Sequence, residues 1–156
     1  MTMIRRAKEI DIDGLLALLY QADAVHHGIR PDLFKGNTPK YDAVELAAII
    51  EDDSKPIFVY VADEKILGHA FCQISQTKNH RLLQDVKTLY IDDICVDERA
   101  RGKHIATALY EFVREYASSI GCYNLTLNVW EGNDAAMSFY RHMGMRVQKT
   151  GMEEVL

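Results

Sequence analysis

The chain has 156 residues, 48% of them hydrophobic and 26% charged, with a formal net charge of −5. That length supports one domain, spanning 1–156, with a substantial core, and the acidic balance argues against a broad nucleic-acid footprint. No apolar run reaches membrane-spanning length and no signal-peptide pattern opens the chain, so no membrane partner is expected and the expected setting is the cytoplasm. The three cysteines, Cys72, Cys95 and Cys122, lie in apolar runs without paired spacing and read as reduced, buried thiols.

Met3 to Ala7 reads as a first short strand. Asp11 stands where it can cap a helix carrying Leu15, Leu16, Leu18 and Leu19, running to about Val25. His26 to Phe34 follows as a loop punctuated by Gly28 and Pro31. Asp42 opens a second helical pattern through Leu46, Ile49 and Ile50. Ile57 to Ala62 and Ile66 to Ser75 form a hairpin across the polar Asp63-Glu64-Lys65 turn. A polar loop, Gln76 to Gln84, leads to a strand from Val86 to Val96. The next helix carries Ile105, Leu109, Phe112, Val113 and Tyr116 and ends at Gly121. Tyr123 to Val129 alternates as a strand, Ala135 to Met143 is a short helix closed by Gly144, and Arg146 to Val155 reads as a last strand. The order β-α-α-β-β-β-α-β-α-β predicts an α/β layer fold with a mostly antiparallel front half.

The most informative stretch is Asp97 to Leu109. A strand feeds a short basic turn, Arg101-Gly102-Lys103-His104, and then a helix start. Unpaired amides and the positive end of the helix dipole meet there, which suits a phosphate-bearing ligand. A Walker loop fits less well, because histidine rather than Ser or Thr follows Gly102-Lys103 and no glycine precedes at the required spacing.

With this turn after the fourth strand, the chain resembles the GNAT superfamily of N-acetyltransferases over nearly its whole length. Three segments carry the resemblance: Tyr90 to Val96, Arg101 to Ala106, and Asn133 to Gly144. It implies a central mixed, mostly antiparallel sheet with helices on both faces and with strands 4 and 5 splayed. It also implies acetyl-CoA as co-substrate, with pyrophosphate held by the amides of Arg101, Gly102, Lys103, His104, Ile105, Ala106 and Thr107. His104 stands where the family usually has glycine, a residue that lets backbone approach phosphate closely and tolerates unusual φ. The backbone of Ile94, Cys95 and Val96 is expected to pair with the pantetheine arm as an added strand would. The same arm is expected to run past Asn133, Ala136 and Phe139, although Phe139 is also the better core aromatic.

Asn133 and Tyr140 lie about two helical turns apart and share a face. The resemblance makes Tyr140 the acid that protonates the departing thiolate. Tyr90-Ile91-Asp92-Asp93 is similar to the Tyr-Leu-Glu-Asp segment of diamine acetyltransferases, which puts Asp92 in the place of the residue that deprotonates the amine through water. Strand alternation sends Asp92 and Asp93 to opposite faces, so at most one is expected to point at the acceptor. Ion pairing at the strand's end is the other reading of both.

His26, His27, Asp32, Phe34 and Trp130 are expected to border the acceptor site. The adjacent His26 and His27 cannot easily share one ion and no partner ligands stand near them, so no metal is expected. The implied reaction is direct attack of a small primary amine, a polyamine, diamine or amino-acid-like compound, on acetyl-CoA. A protein or peptide amine is an alternative acceptor, and a catalytically weak CoA-binding module is an alternative class. A homodimer through the last strands is compatible with the pattern.

Overall fold

The computed structural model describes residues 1–156 and builds one five-stranded sheet. Its strands are Thr2–Arg6 (β1), Ile57–Ala62 (β2), Lys65–Gln76 (β3), Lys87–Val96 (β4) and Asn124–Thr126 (β5), in that spatial order. Neighbours pair antiparallel except β4 with β5, which run parallel through Thr88, Leu89 and Tyr90 only. Four α-helices complete the fold: Ile12–Ile29 (α1), Ala43–Ile50 (α2), Ile105–Ser119 (α3) and Asp134–His142 (α4).

Strand alternation divides the core between two faces. On one, Leu15 and Leu19 of α1 and Leu46 of α2 meet Ile57, Val59 and Phe71. On the other, Ile105, Leu109, Val113 and Ala117 of α3 meet Phe58, Ala70, Cys72, Leu89 and Ile91, and α4 adds Phe139 and Tyr140. Each fully buried Leu or Val contributes about 1.5–3 kcal/mol, so both helical layers are held by their apolar stripes. Gly68 sets how closely α3 approaches. A Cβ there would lie 3.0 Å from Leu109 Cδ1 and 3.1 Å from both Ile105 Cγ2 and the Cys95 carbonyl oxygen.

Four expectations change. Asp11 occupies the N-cap position of α1 but makes no capping bond, because its carboxylate is taken by Arg5 Nη1 at 2.7 Å and Nη2 at 3.0 Å. Burial alone would raise the Asp11 carboxyl, yet the Arg5 guanidinium and the Lys8 amide hold it below the usual range. Helix α1 runs through Gly28 to Ile29, so His26 and His27 lie on its last turn rather than in a loop. Strand β5 is three residues long instead of Tyr123 to Val129. The last strand, Arg146 to Val155, does not form, and no backbone hydrogen bond within the chain involves any residue beyond Met145. A strand gains stability only from a ladder, and so short a β5 offers no edge for one. Val147, Met152 and Val155 therefore have no face to bury against and remain exposed. No helix is long and apolar enough to cross a membrane.

Candidate active site

Beyond Tyr90, β4 keeps its ladder to β3 but loses β5. Ala70 pairs with Ile94, His69 with Cys95 and Gly68 with Val96, while the opposite edge of the same residues has no strand beside it. The chain after β5 turns away, held loosely by Asn128 Nδ2 donating to the Tyr90 hydroxyl at 3.3 Å. The splayed pair thus leaves a row of backbone donors and acceptors at Ile94–Val96 for an extended ligand.

The turn after β4 is shaped mostly by its own residues, with the Glu98 amide also donating to Gln21 Oε1 of α1 at 3.0 Å. Asp97 accepts from the Arg99 amide at 3.0 Å and caps the single 3-10 turn Glu98–Ala100. Gly102 takes φ +79° and His104 takes φ +60°, ψ 24°, in the left-handed region. His104 thus adopts the conformation that glycine would hold without strain, and its carbonyl starts α3 by accepting from the Ala108 amide at 3.1 Å. The amides of His104, Ile105, Ala106 and Thr107 donate to no protein oxygen. Arg101 and Lys103 are exposed beside them, whereas the Ile105 side chain is core. Free amides, a helix N-terminus and two cations fit an anionic diphosphate.

The two aspartates do not alternate. Phe71 pairs with Asp93 and Cys72 with Ile91, so Asp92 is the extra residue of a β-bulge. The bulge turns both carboxylates toward partners on the α1/α2 side. Asp92 Oδ2 accepts from Lys40 Nζ at 2.7 Å, and Lys40 lies 5.5 Å from the ring of Tyr41, which stacks on Phe71. Burial would lower the Lys40 ammonium, but its bond to Asp92 raises it above its ordinary value. Asp93 Oδ2 lies 2.7 Å from Nε2 of the fully buried His69, whose ring meets Phe71 edge-on.

Helix α4 supplies the remaining groups. Asn133 Oδ1 accepts from the Ala136 amide at 3.2 Å, so this side chain caps the helix while its Nδ2 keeps no protein acceptor. Phe139 and Tyr140 both pack on Tyr110, with ring centroids at 6.4 and 6.2 Å. Burial first, and then the nearby Asp93 charge, push the Tyr140 hydroxyl above its ordinary value, so it is held protonated. The Cys95 thiol donates to the Leu18 carbonyl at 3.5 Å, and burial pushes both Cys95 and Cys72 up to about 12. Neither is a thiolate nucleophile at neutral pH.

The acceptor-side candidates form a separate group. Phe34 stacks on His26 at 5.0 Å and meets Trp130 edge-on at 5.5 Å, and His27 Nδ1 bonds the Phe34 carbonyl at 2.8 Å. Asp32 is spent on Arg30, which donates from Nε at 2.9 Å and Nη2 at 2.8 Å. Those bonds hold the Asp32 carboxyl below the usual range. Arg30 also covers Trp130 and pairs with Glu153, fastening the extended tail here. No hydrogen bond or ring contact joins this group to Asp92 or Asp93.

Sequence reasoning passes over Lys40, His69, Arg30 and Glu153. His69 carries a readable signal, an imidazole within an apolar strand. Lys40 and Glu153 carry none, since each meets its partner only through the fold.

With this geometry in view, the relatives become informative. The family model for the acetyltransferase (GNAT) family matches residues 22–145. A point variant of the BH1408 protein from Bacillus halodurans superposes with a TM-score of 0.94 at 32% identity, covering 99% of each chain. Thialysine N-epsilon-acetyltransferase from Bos taurus is 28% identical over 152 residues, covering 91% of this chain and 82% of its own length. Glucosamine-6-phosphate N-acetyltransferase from Arabidopsis thaliana shares the fold, with a TM-score of 0.73 at 24% identity over 99% of this chain and 98% of its own. The chain belongs to the GNAT acetyltransferase family. It is an N-acetyltransferase.

Proposed function

We propose that the whole chain acts as one domain transferring the acetyl group of acetyl-CoA to a primary amine of a small molecule by direct attack. The observation that carries this reading is the splayed β4–β5 pair ending in a turn of free amides, with Tyr140 of α4 packed on Tyr110. The diphosphate lies on the amides of Arg101 to Thr107, and the pantetheine arm lies along Ile94–Val96, past Asn133, Ala136 and Phe139. One carboxylate of the Asp92–Asp93 pair receives a proton from the acceptor ammonium, directly or through water. The neutral amine then forms its bond to the acetyl carbon as the carbon–sulfur bond breaks. A backbone amide at Ile94–Val96 receives the developing oxyanion, and Tyr140 gives its proton to sulfur. The high pKa values of Cys72 and Cys95 support direct transfer over an acetyl-cysteine intermediate.

The similarity to a thialysine acetyltransferase over most of both chains favours a diamine or amino-acid-like amine. His26, His27, Phe34 and Trp130 line the entry for its carbon skeleton, with Asp32 orienting Arg30 at the rim. The extended segment after Met145, which has no backbone partner in its own chain, supports a homodimer. Protonated, unpaired cysteines suit a cytoplasmic setting.

The test is a panel of diamines, polyamines, amino acids, aminoglycosides and peptide amines assayed for thiol release from acetyl-CoA, alongside thermal shifts with acetyl-CoA. Release with small diamines or amino acids is expected. Stabilisation by acetyl-CoA without release on any amine would identify a binding module instead, and release only with peptides would replace the acceptor class.

A further inference from the structure

His69 is a histidine that the transfer chemistry described so far does not use. It faces Cys95 across the β3–β4 ladder and is fully buried, with its ring centroid 4.7 Å from that of Phe71. Its Nε2 lies 2.7 Å from Asp93 Oδ2, and its Nδ1 is buried with no partner. These two facts define the ring's state. An ionised carboxylate only accepts, so Nε2 carries a proton and donates. Nδ1 is then the bare lone pair of a neutral imidazole, because an imidazolium would bury a second N–H with no acceptor. An apolar side chain would fill this strand position without stranding a buried nitrogen. What the imidazole adds is the bond to Asp93.

We propose that His69 is a positioning residue whose Nε2–H holds Oδ2 of Asp93, leaving Oδ1 to take the proton of the acceptor ammonium, so that Asp93 rather than Asp92 is the base. The inference rests on the amine-acetyltransferase reading. Asp92 is the less available carboxylate, at 12% exposure and matched by the Lys40 ammonium, whereas Asp93 is 22% exposed and bound to a neutral donor. The balance closes. The ammonium N–H proton passes to Asp93, the N–C bond forms as the C–S bond breaks, and the Tyr140 proton goes to sulfur. The second amine proton restores Tyr140 through solvent, and Asp93 releases its own to water.

A double-mutant cycle with His69→Phe and Asp93→Asn tests this, with Asp92→Asn beside it and melting curves on every variant. Asp93→Asn is expected to lower kcat/KM about 100-fold, the weight of a general base. His69→Phe lowers it about tenfold, the weight of one hydrogen bond to a charged group. Together they are no worse than Asp93→Asn alone, and KM for acetyl-CoA stays put. His69→Gln, which keeps an N–H donor, recovers part of the loss. Multiplying effects, or Asp92→Asn matching Asp93→Asn, overturn the proposal. Nitrogen-15 NMR of histidine-labelled protein supplies a readout free of turnover: an Nε2–H tautomer at His69 that is lost in Asp93→Asn. An Nδ1–H tautomer in an active enzyme defeats this proposal alone. An Nε2–H tautomer in a protein inactive toward every amine defeats the functional reading and His69's catalytic role with it.

Discussion

The basic turn after β4 and the aspartate bulge lie within one stretch of chain, yet they are built in different ways. The turn is contiguous: Asp97 caps it, Gly102 and His104 bend it, and the first amides of α3 complete it. It uses mainly backbone groups and exposed cations, and its distant ties are few: the Glu98 amide donates to Gln21 Oε1, the Asp97 amide to the Leu67 carbonyl, and the Gly68 gap seats α3. The bulge draws on side chains 52 and 24 positions away, Lys40 for Asp92 and His69 for Asp93. A site of backbone amides tolerates changes of side chain. A site of paired carboxylates does not, because removing one partner leaves the other's charge partly buried and unmatched.

The largest effect is expected outside the turn, at Tyr140 of α4. Tyr140→Phe should lower kcat about 100-fold or more while acetyl-CoA still stabilises the protein against heat, since only the proton donor is lost. The raised hydroxyl also has a pH consequence. A phenol ordinarily ionises near 10, and burial together with Asp93 keeps Tyr140 protonated beyond that point. Loss of kcat from its ionisation therefore belongs on the alkaline side of that value. Turnover within twofold of the parent would remove Tyr140 from the reaction and leave the two regions functionally alike.

The turn should answer in binding rather than chemistry. Arg101→Gln with Lys103→Gln is expected to raise KM for acetyl-CoA about tenfold at low salt, with kcat unchanged and a flatter dependence on ionic strength. In the proposed binding mode the acetyl group lies along β4, away from these cations. A fall in kcat instead would mean that the turn also orients the thioester, and the division between the regions would blur.

The same contrast explains what could be read in the sequence. The free amides and exposed cations of the Arg101 to Thr107 turn were legible because capping, glycine and helix periodicity are local properties. The two helical layers were legible from the stripes Leu15–Leu19 and Ile105–Tyr116. The bulge was not, since one extra residue in Tyr90 to Val96 leaves composition and pattern unchanged while bringing Asp92 and Asp93 to the same side. The end of α1 was misplaced because Gly28 reads as a breaker, yet α1 keeps it with His27 held by the Phe34 carbonyl. The missing sixth strand has the same cause as the bulge. A strand reading of Arg146 to Val155 cannot report whether its chain supplies a partner.

The smallest predicted effect concerns His104, and it tests whether the turn is as indifferent to side chains as its backbone suggests. His104 holds φ +60°, ψ 24° at the N-cap of α3. A left-handed residue other than glycine bears a cost of about 1–2 kcal/mol. Glycine removes that cost but adds about 0.5–1 kcal/mol of unfolded-state freedom. His104→Gly should therefore stabilise the protein by roughly 0.5–1 kcal/mol, about 2 °C in Tm for a chain of this size. The amides of His104 to Thr107 remain where they are, so the Kd for CoA, measured by calorimetry, should stay within about threefold of the parent. A large gain in affinity would mean that the imidazole obstructs the diphosphate. A large loss would mean that it grips the ligand and that the strain at φ +60° is retained for binding.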